Sequence, residues 1–427
     1  FVLQAEPSRR AYVRRIQVAG NDRTRDEVIR REFRQLEAAW YDGDKIRLSR
    51  DRVDRLGYFT QVNVETVEVP GAPDQVDLLF TVAEKPTGSI SLGAGFSSAE
   101  KVALSFGIRQ ENAFGSGNYL AVEVNTSKFN RNLVLSTTDP YFTKNGISRT
   151  VDLFQRTTRP YLGDVDAYRL INSGAGLRFG VPVTETDTVF VGVNAEQTEI
   201  REGTGLPDAY RNYGEKFGTT STALPLTLGW ARDGRDSALV PTRGSLQRVN
   251  ADVSVGGDVR YVRASYQYQQ YYPLSKKYTL AFNTDLGWGQ GLKGQEYPLF
   301  KNFYVGGLGS VRGFEQSTLG PSEPNSSTNP ALIYLGGPKK LVFNTELIMP
   351  FPGAGNDRTL RLFGFTDIGS AFGENQQVSA DALRASAGVG LSWISPMGPL
   401  RFSYATPIRK QTGDKIQRLQ FQIGTSF

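Results

Sequence analysis

Arg312 is the residue whose neighbours most invite a chemical reading. It stands in Phe303-Tyr304-Val305-Gly306-Gly307-Leu308-Gly309-Ser310-Val311-Arg312-Gly313-Phe314, where four of twelve residues are glycine. Glycines at that density permit backbone conformations that a Cβ forbids, so the stretch is a shaped loop and not a strand. A guanidinium held in such a loop has five donors to satisfy, and carboxylates on a surrounding wall would satisfy them. An ordinary glycine-rich surface loop is the plain alternative on composition alone. A phosphate cradle fits less well, because no helix pattern follows for the anion to cap. Other chemistry is narrowed by what is missing. The chain has no Cys and no His, which removes Ser-His-Asp and Cys-His nucleophiles, disulfides, and thiolate- or His-ligated metals. A hydrolase would need paired carboxylates or Ser-Lys chemistry, and no such spacing stands out. The reading is therefore of a protein that is not an enzyme and uses no cofactor and no metal.

The elements that must hold this loop are spread over 427 residues, room for a small domain and a large barrel. Charged residues make up 22% and the mean hydropathy is −0.35. No run of eighteen apolar residues occurs, so no transmembrane helix is expected. A lipid-facing barrel escapes such scales, because only alternate strand residues are apolar. Glycine (46), Tyr (19) and Phe (25) are plentiful, as turns and aromatic girdles require. The net charge is +6. Arg47, Arg50, Arg52 and Arg55 alternate with Asp44, Asp51 and Asp54, which reads as a salt-bridged helix face and not as a nucleic-acid surface. Residues 1–10 lack the basic start and apolar core of a signal peptide and read as a remnant or linker.

Residues 11–85 read as strand, helix, helix, strand, strand. Tyr12 to Val18 forms the first strand, and Thr24 with Glu27 makes a capping box ahead of Ile29, Phe33 and Leu36 on one face. Asp44 is placed to cap a second helix that runs through Leu56 and stops at Gly57. Two strands follow, near 61–69 and 75–84. About seventy-five residues make an independent if marginal domain. This order, with Gly20-Asn21 after the first strand and Gly57-Tyr58-Phe59 after the second helix, resembles a POTRA domain. The resemblance implies reception of extended peptide at a sheet edge; a structural spacer is the equal alternative.

From residue 86 a two-residue period takes over. Val249, Ala251, Val253 and Val255 alternate with Arg248, Asn250, Asp252 and Ser254. Sixteen segments begin near residues 87, 101, 118, 131, 147, 167, 185, 220, 244, 259, 276, 339, 357, 382, 398 and 416. Short turns follow the even-numbered segments, and the long connections, 200–219 and 291–338, follow odd ones. That asymmetry predicts a mostly β chain: a sixteen-stranded antiparallel transmembrane barrel over 86–427, preceded by one α/β module. Along the last strand Leu419, Phe421, Ile423, Thr425 and Phe427 share one face, and the terminal aromatic suits a membrane interface.

Val311-Arg312-Gly313-Phe314 then resembles the signature of the POTRA-plus-barrel assembly superfamily, in its sixth outer loop. Asp139-Pro140-Tyr141-Phe142, Asn302-Phe303-Tyr304, Phe402-Ser403-Tyr404-Ala405 and Gln420-Phe421-Gln422-Ile423-Gly424 are similar to the BamA family within it. The resemblance covers the chain from residue 11, with one POTRA domain where that family has several; the others are read as cut away. It implies a loop folded into the lumen with Arg312 paired to Glu346 and Asp367. Glu346 shares a face with Asn344, whereas Asp367 shares its phase with Phe363 and Phe365, the less polar setting of the two. It also implies folding and insertion of client barrels into the bacterial outer membrane, with the POTRA domain in the periplasm. The expected partners are unfolded outer-membrane barrel proteins, periplasmic or lipoprotein subunits of an assembly complex, and lipid. Export of a partner protein by two-partner secretion is the alternative.

Closure must pair the first barrel strand with the last. Ser89, Ser91, Gly93 and Gly95 give the first strand a bare inner face, with Ile90, Leu92, Ala94 and Phe96 outward, and Gly424 reads as a kink in the last. A lateral seam is thus expected among Ser89, Ile90, Ser91, Leu92 and Gly93 on one side and Gln422, Ile423, Gly424 and Phe427 on the other. Weak side-chain pairing there predicts opening at modest cost. Glycines that merely relieve crowding at a barrel corner are the rival reading.

Overall fold

The computed structural model describes residues 10–143, 145–159, 168–184, 186–203, 205–237, 240–324, 332–353, 359–395 and 398–424. Two compact units emerge. The first runs to Ile90 and takes in Ile108–Ala121 and Ser136–Gly146; the second holds Ser91–Gly107, Val122–Leu135 and the chain from Ile147.

The N-terminal module contains β1 (Tyr12–Ala19), α1 (Asp26–Arg30), β2 (Ala39–Trp40), α2 (Gly43–Arg55), β3 (Phe59–Val69) and β4 (Ala72–Glu84). Its sheet has the order β2-β1-β4-β3, with β1 and β4 parallel. Val13 and Ile16 of β1, Val28 and Ile29 of α1, Ile46 and Val53 of α2, and Leu78, Phe80 and Val82 of β4 make one apolar core. Leu78, Phe80 and Val82 recur every second residue, and Val13 and Ile16 reach the same face across an irregularity in the β1–β4 register, so the sheet and the helices bury one face each in two layers. Two local expectations need correction. Helix α1 is only five residues long and begins after Arg25, with no side-chain cap. Thr24 is turned to other work: its amide donates to Glu84 (2.6 Å) and its hydroxyl accepts from Asn112 (2.9 Å). Leu36 lies beyond that short helix and is exposed. Helix α2 is capped by Asp42, two residues earlier than expected, whose carboxylate accepts from the amides of Asp44 and Lys45. Asp42 has the extended conformation an N-cap requires, and Asp44 already lies inside the helix.

The barrel strands are β5 (Gly88–Ser97), β6 (Lys101–Ala113), β7 (Asn118–Ser127), β8 (Asn130–Asp139), β9 (Ser148–Thr158), β10 (Tyr168–Pro182), β11 (Asp187–Glu202), β12 (Thr220–Asp233), β13 (Gly244–Gly257), β14 (Tyr261–Pro273), β15 (Thr279–Gly291), β16 (Lys339–Pro350), β17 (Leu360–Phe372), β18 (Arg384–Ser395), β19 (Gly398–Arg409) and β20 (Leu419–Gly424). They follow one another around a closed barrel, and β20 returns to β5. Every start expected from the two-residue period falls within three residues of the observed one. The apolar phase faces out: Ile90, Leu92, Val102, Leu104, Leu226, Leu228, Val389 and Trp393 are all exposed. An apolar band of that extent on a sheet's outer face suits hydrocarbon and not water.

The connection between β11 and β12 contains α3 (Asp208–Phe217), an element the strand count did not foresee. Tyr210 and Tyr213, one turn apart, bury against Tyr168, Tyr297 and Ile333. Burial pushes the Tyr213 hydroxyl up to about 12.

Candidate functional site

The glycine-rich segment between β15 and β16 folds back on itself and then onto the barrel wall. Isolated bridges join Phe303 to Gly337 and Val305 to Leu319. Gly306 and Gly313 have φ of +114° and +88°; a Cβ on Gly306 would stand 2.7 Å from the carbonyl oxygen of Glu315, and one on Gly313 would stand 3.0 Å from the Cβ of Ala405. Both positions therefore require glycine. Val305, Val311, Phe314 and Leu319 are buried with Val342 of β16 and Ala371 of β17. Gly313–Phe314 also pairs with Ile416–Gln417, just ahead of the last strand.

This apolar seat aims Arg312 at two carboxylates. Its Nε and Nη2 donate to the two oxygens of Asp367, each at 2.6 Å, and its amide donates to Oδ2 at 3.0 Å. Nη1 donates to Oε1 of Glu346, which also accepts from Arg401 at 2.6 Å. Arg312 is 2% exposed and Asp367 is fully buried, so the fork is a desolvated, bidentate pair. The phase shared by Asp367, Phe363 and Phe365 is the inward one. The two rings are buried because the guanidinium lies across them, its carbon 3.5 Å from the Phe365 centroid and 5.6 Å from that of Phe363. The aromatic pair that made this the less polar setting is thus the floor of the ion-pair site.

Three contributors escaped the sequence reading. Asn344 donates to the Ser310 carbonyl (2.6 Å) and to Asp367 (2.8 Å). Arg401 completes the second cation on Glu346 and lies 4.8 Å from the Phe363 ring. Gln420, 1% exposed, donates to the Phe314 carbonyl and accepts from the Gly313 amide. Each stands in the polar phase of its strand, the one signal that marked it; nothing in that phase says what a side chain meets.

The closure of the barrel is short. Gln422, Ile423 and Gly424 pair with Ser97, Phe96 and Gly95, three pairs among the described residues, whereas β10 and β11 share fifteen. Ser98 extends the contact by donating its amide to the Phe421 carbonyl at 2.9 Å. Ser89, Ile90, Ser91, Leu92 and Gly93, expected at the seam, lie earlier on β5 than these three pairs, which reach Gly424, where the described residues stop. Gly424 has φ +80°, and a Cβ there would stand 2.4 Å from the Ala94 carbonyl oxygen, so the last strand turns at the position read as a kink. Phe427 lies outside the described residues.

Comparison with known families matches residues 112–427 to the Omp85 superfamily domain and residues 11–85 to the POTRA model, described as a surface antigen variable number repeat. The outer membrane protein assembly factor BamA of Neisseria meningitidis serogroup B is 39% identical across the whole of this chain, which spans 58% of that relative's length. The crystal structure of BamA from Haemophilus ducreyi lacking POTRA domains 1-3 superposes with a TM-score of 0.89 at 29% identity, covering 99% of this chain and 86% of that one. CdiB from Acinetobacter baumannii shares the fold, with a TM-score of 0.60 at 12% identity over 97% of this chain and 74% of its own.

Proposed function

Because the chain belongs to the Omp85 superfamily, an outer-membrane β-barrel with its POTRA domain in the periplasm, we propose that it folds and inserts client β-barrel proteins into the bacterial outer membrane. The proposed division is a POTRA domain over residues 11–85 and a barrel over 86–427. Clients are unfolded outer-membrane barrel proteins, and periplasmic or lipoprotein subunits complete the machinery.

One observation carries this reading: among the described residues three residue pairs close the barrel between β20 and β5, against five between β19 and β20 and fifteen between β10 and β11. A strand edge freed at that seam offers unpaired backbone donors and acceptors to an incoming strand, and pairing with it is β-augmentation. No nucleotide need be consumed, because the ladder formed with the client offsets the few rungs lost. The returning loop has a separate part: the Arg312 fork holds it against β16 and β17, and Gln420 of the last strand bonds the neighbouring Gly313 amide and Phe314 carbonyl.

The test uses the register. With no native cysteine in the chain, Ser97→Cys with Gln422→Cys will form a disulfide across the seam. The locked protein is expected to stop inserting a client barrel into proteoliposomes and to resume on reduction. Full insertion by the locked form would remove seam opening from the mechanism. Export of a single partner is separated by depletion: loss of many unrelated barrels supports assembly, and loss of one exported protein supports secretion.

A further inference from the structure

The turn-side mouth of the lumen holds cations that the ion-pair site leaves over. Arg361 of β17 shares the inward phase with Phe363, Phe365 and Asp367. Around it three guanidinium groups, Arg312, Arg361 and Arg401, face two carboxylates, Glu346 and Asp367, and both carboxylates are taken by Arg312 and Arg401. Arg361 makes no ion pair among the described residues, and its Nε is buried without a hydrogen-bond partner there. It lines a cavity of about 210 Å³ together with Lys276 and Lys277, from the turn between β14 and β15. Neither lysine has an ion pair among the described residues. The neighbouring Arg235, by contrast, is held by Asp233 (2.8 Å).

Its apolar share comes from Val240 and Pro241 of the turn after β12, Pro273, and Ile348, Met349 and Pro350 of β16, with the hydroxyls of Thr242, Ser275 and Thr279 between them. Ile348 and Pro350 alternate with the exposed Leu347 and so stand on the inner face, with Glu346. An unpaired, partly desolvated guanidinium takes a planar carboxylate through a two-point contact, and the apolar walls take a side chain beside it. We propose that this mouth binds an extended polypeptide segment through a carboxylate adjacent to a bulky apolar side chain, the carboxylate on Arg361, Lys276 and Lys277. The identity of the ligand rests on the assembly reading, since a client chain is the extended polypeptide that reaches the turn side; the cation surplus does not.

The probe is a fluorescent pentapeptide ending in leucine with a free carboxyl terminus, titrated into the full chain in detergent, against the same peptide as a carboxamide. The acid is expected to bind at least about tenfold more tightly than the amide, as one charge-assisted hydrogen-bond pair is worth. Added salt weakens it. Arg361→Gln is expected to bring the acid down to the amide's affinity, and Lys276→Gln with Lys277→Gln to lower it part of the way. Both variants are checked for an unchanged heat-modifiable band shift. Equal binding of acid and amide, an unaffected Arg361→Gln variant, or displacement by inorganic phosphate as effective as by the unlabelled acid would each overturn the proposal, the last by leaving a plain anion site. The seam-locked protein separates the two readings. It is expected to bind the peptide although it inserts nothing; lost peptide binding with normal insertion by the unlocked chain strikes the mouth site alone, and insertion by the locked chain strikes the assembly mechanism alone.

Discussion

Removing the guanidinium at position 312 strands a carboxylate that has no water to turn to. Asp367 is fully buried and takes three hydrogen bonds from Arg312, so Arg312→Ala is expected to cost about 3–5 kcal/mol. The measurement is the temperature at which the barrel loses its heat-modifiable migration, and a barrel as stable as the parent refutes the pairing. Arg312→Lys keeps the charge but not the fork, and falls between the two. Glu346→Gln is milder, since Arg312 loses one of its two carboxylates and keeps the buried Asp367, while Arg401 loses its anion. Glycine density marked the loop and its Arg, a property of composition and spacing, whereas Glu346 and Asp367 were named only through the family resemblance. The sequence misjudged the surroundings of Asp367, because period two states which residues share a face and not which face looks inward. Phe363 and Phe365 decide that only when Arg312 is seen lying across them.

Among the elements, the last strand is the one whose sequence and geometry bear most directly on the mechanism. Its described part, Leu419–Gly424, carries a left-handed glycine pressed against the Ala94 carbonyl. Gly424→Val brings a β-branched side chain to a φ it rarely adopts and a Cβ into a carbonyl oxygen, a strain of about 1–3 kcal/mol. The expected outcome is a lower yield of the Ser97–Gln422 disulfide in the double-cysteine protein, with the rest of the barrel intact. An unchanged yield means the kink does not set the closure. Strand starts were legible here because lipid outside and polar groups inside impose strict alternation. Register was not, since the bare inner face of β5 carries no side chain that singles out a partner. The helices show the same limit on a smaller scale. Asp42 and Asp44 both suit a cap, and only the backbone conformation chose Asp42; Tyr210 and Tyr213 packed α3 into a connection with no strand pattern to announce it.

For the whole molecule the outward band is the governing fact. Ile90 and Leu92 are 72% and 81% exposed, and exposed Leu, Val, Phe and Trp recur on strand after strand. The chain is expected to be monodisperse in detergent or nanodiscs and to aggregate when detergent is withdrawn, which size-exclusion chromatography reads directly. A monodisperse species in plain buffer removes the membrane barrel and every function assigned to it. This level was the most legible of the three, because sixteen repeats of one alternation reinforce each other where a single strand is ambiguous. The long connections were the least legible, since they obey no period.

The brevity of the closure has a mechanical side. Under stretch around its circumference a ring parts where its stitching is thinnest, which among the described residues is between β20 and β5, so thermal fluctuation or a distorted bilayer concentrates its strain there. Rupture there leaves the Arg312 fork standing on β16 and β17, and the returning loop, still tethered, keeps the parted ribbon from unrolling.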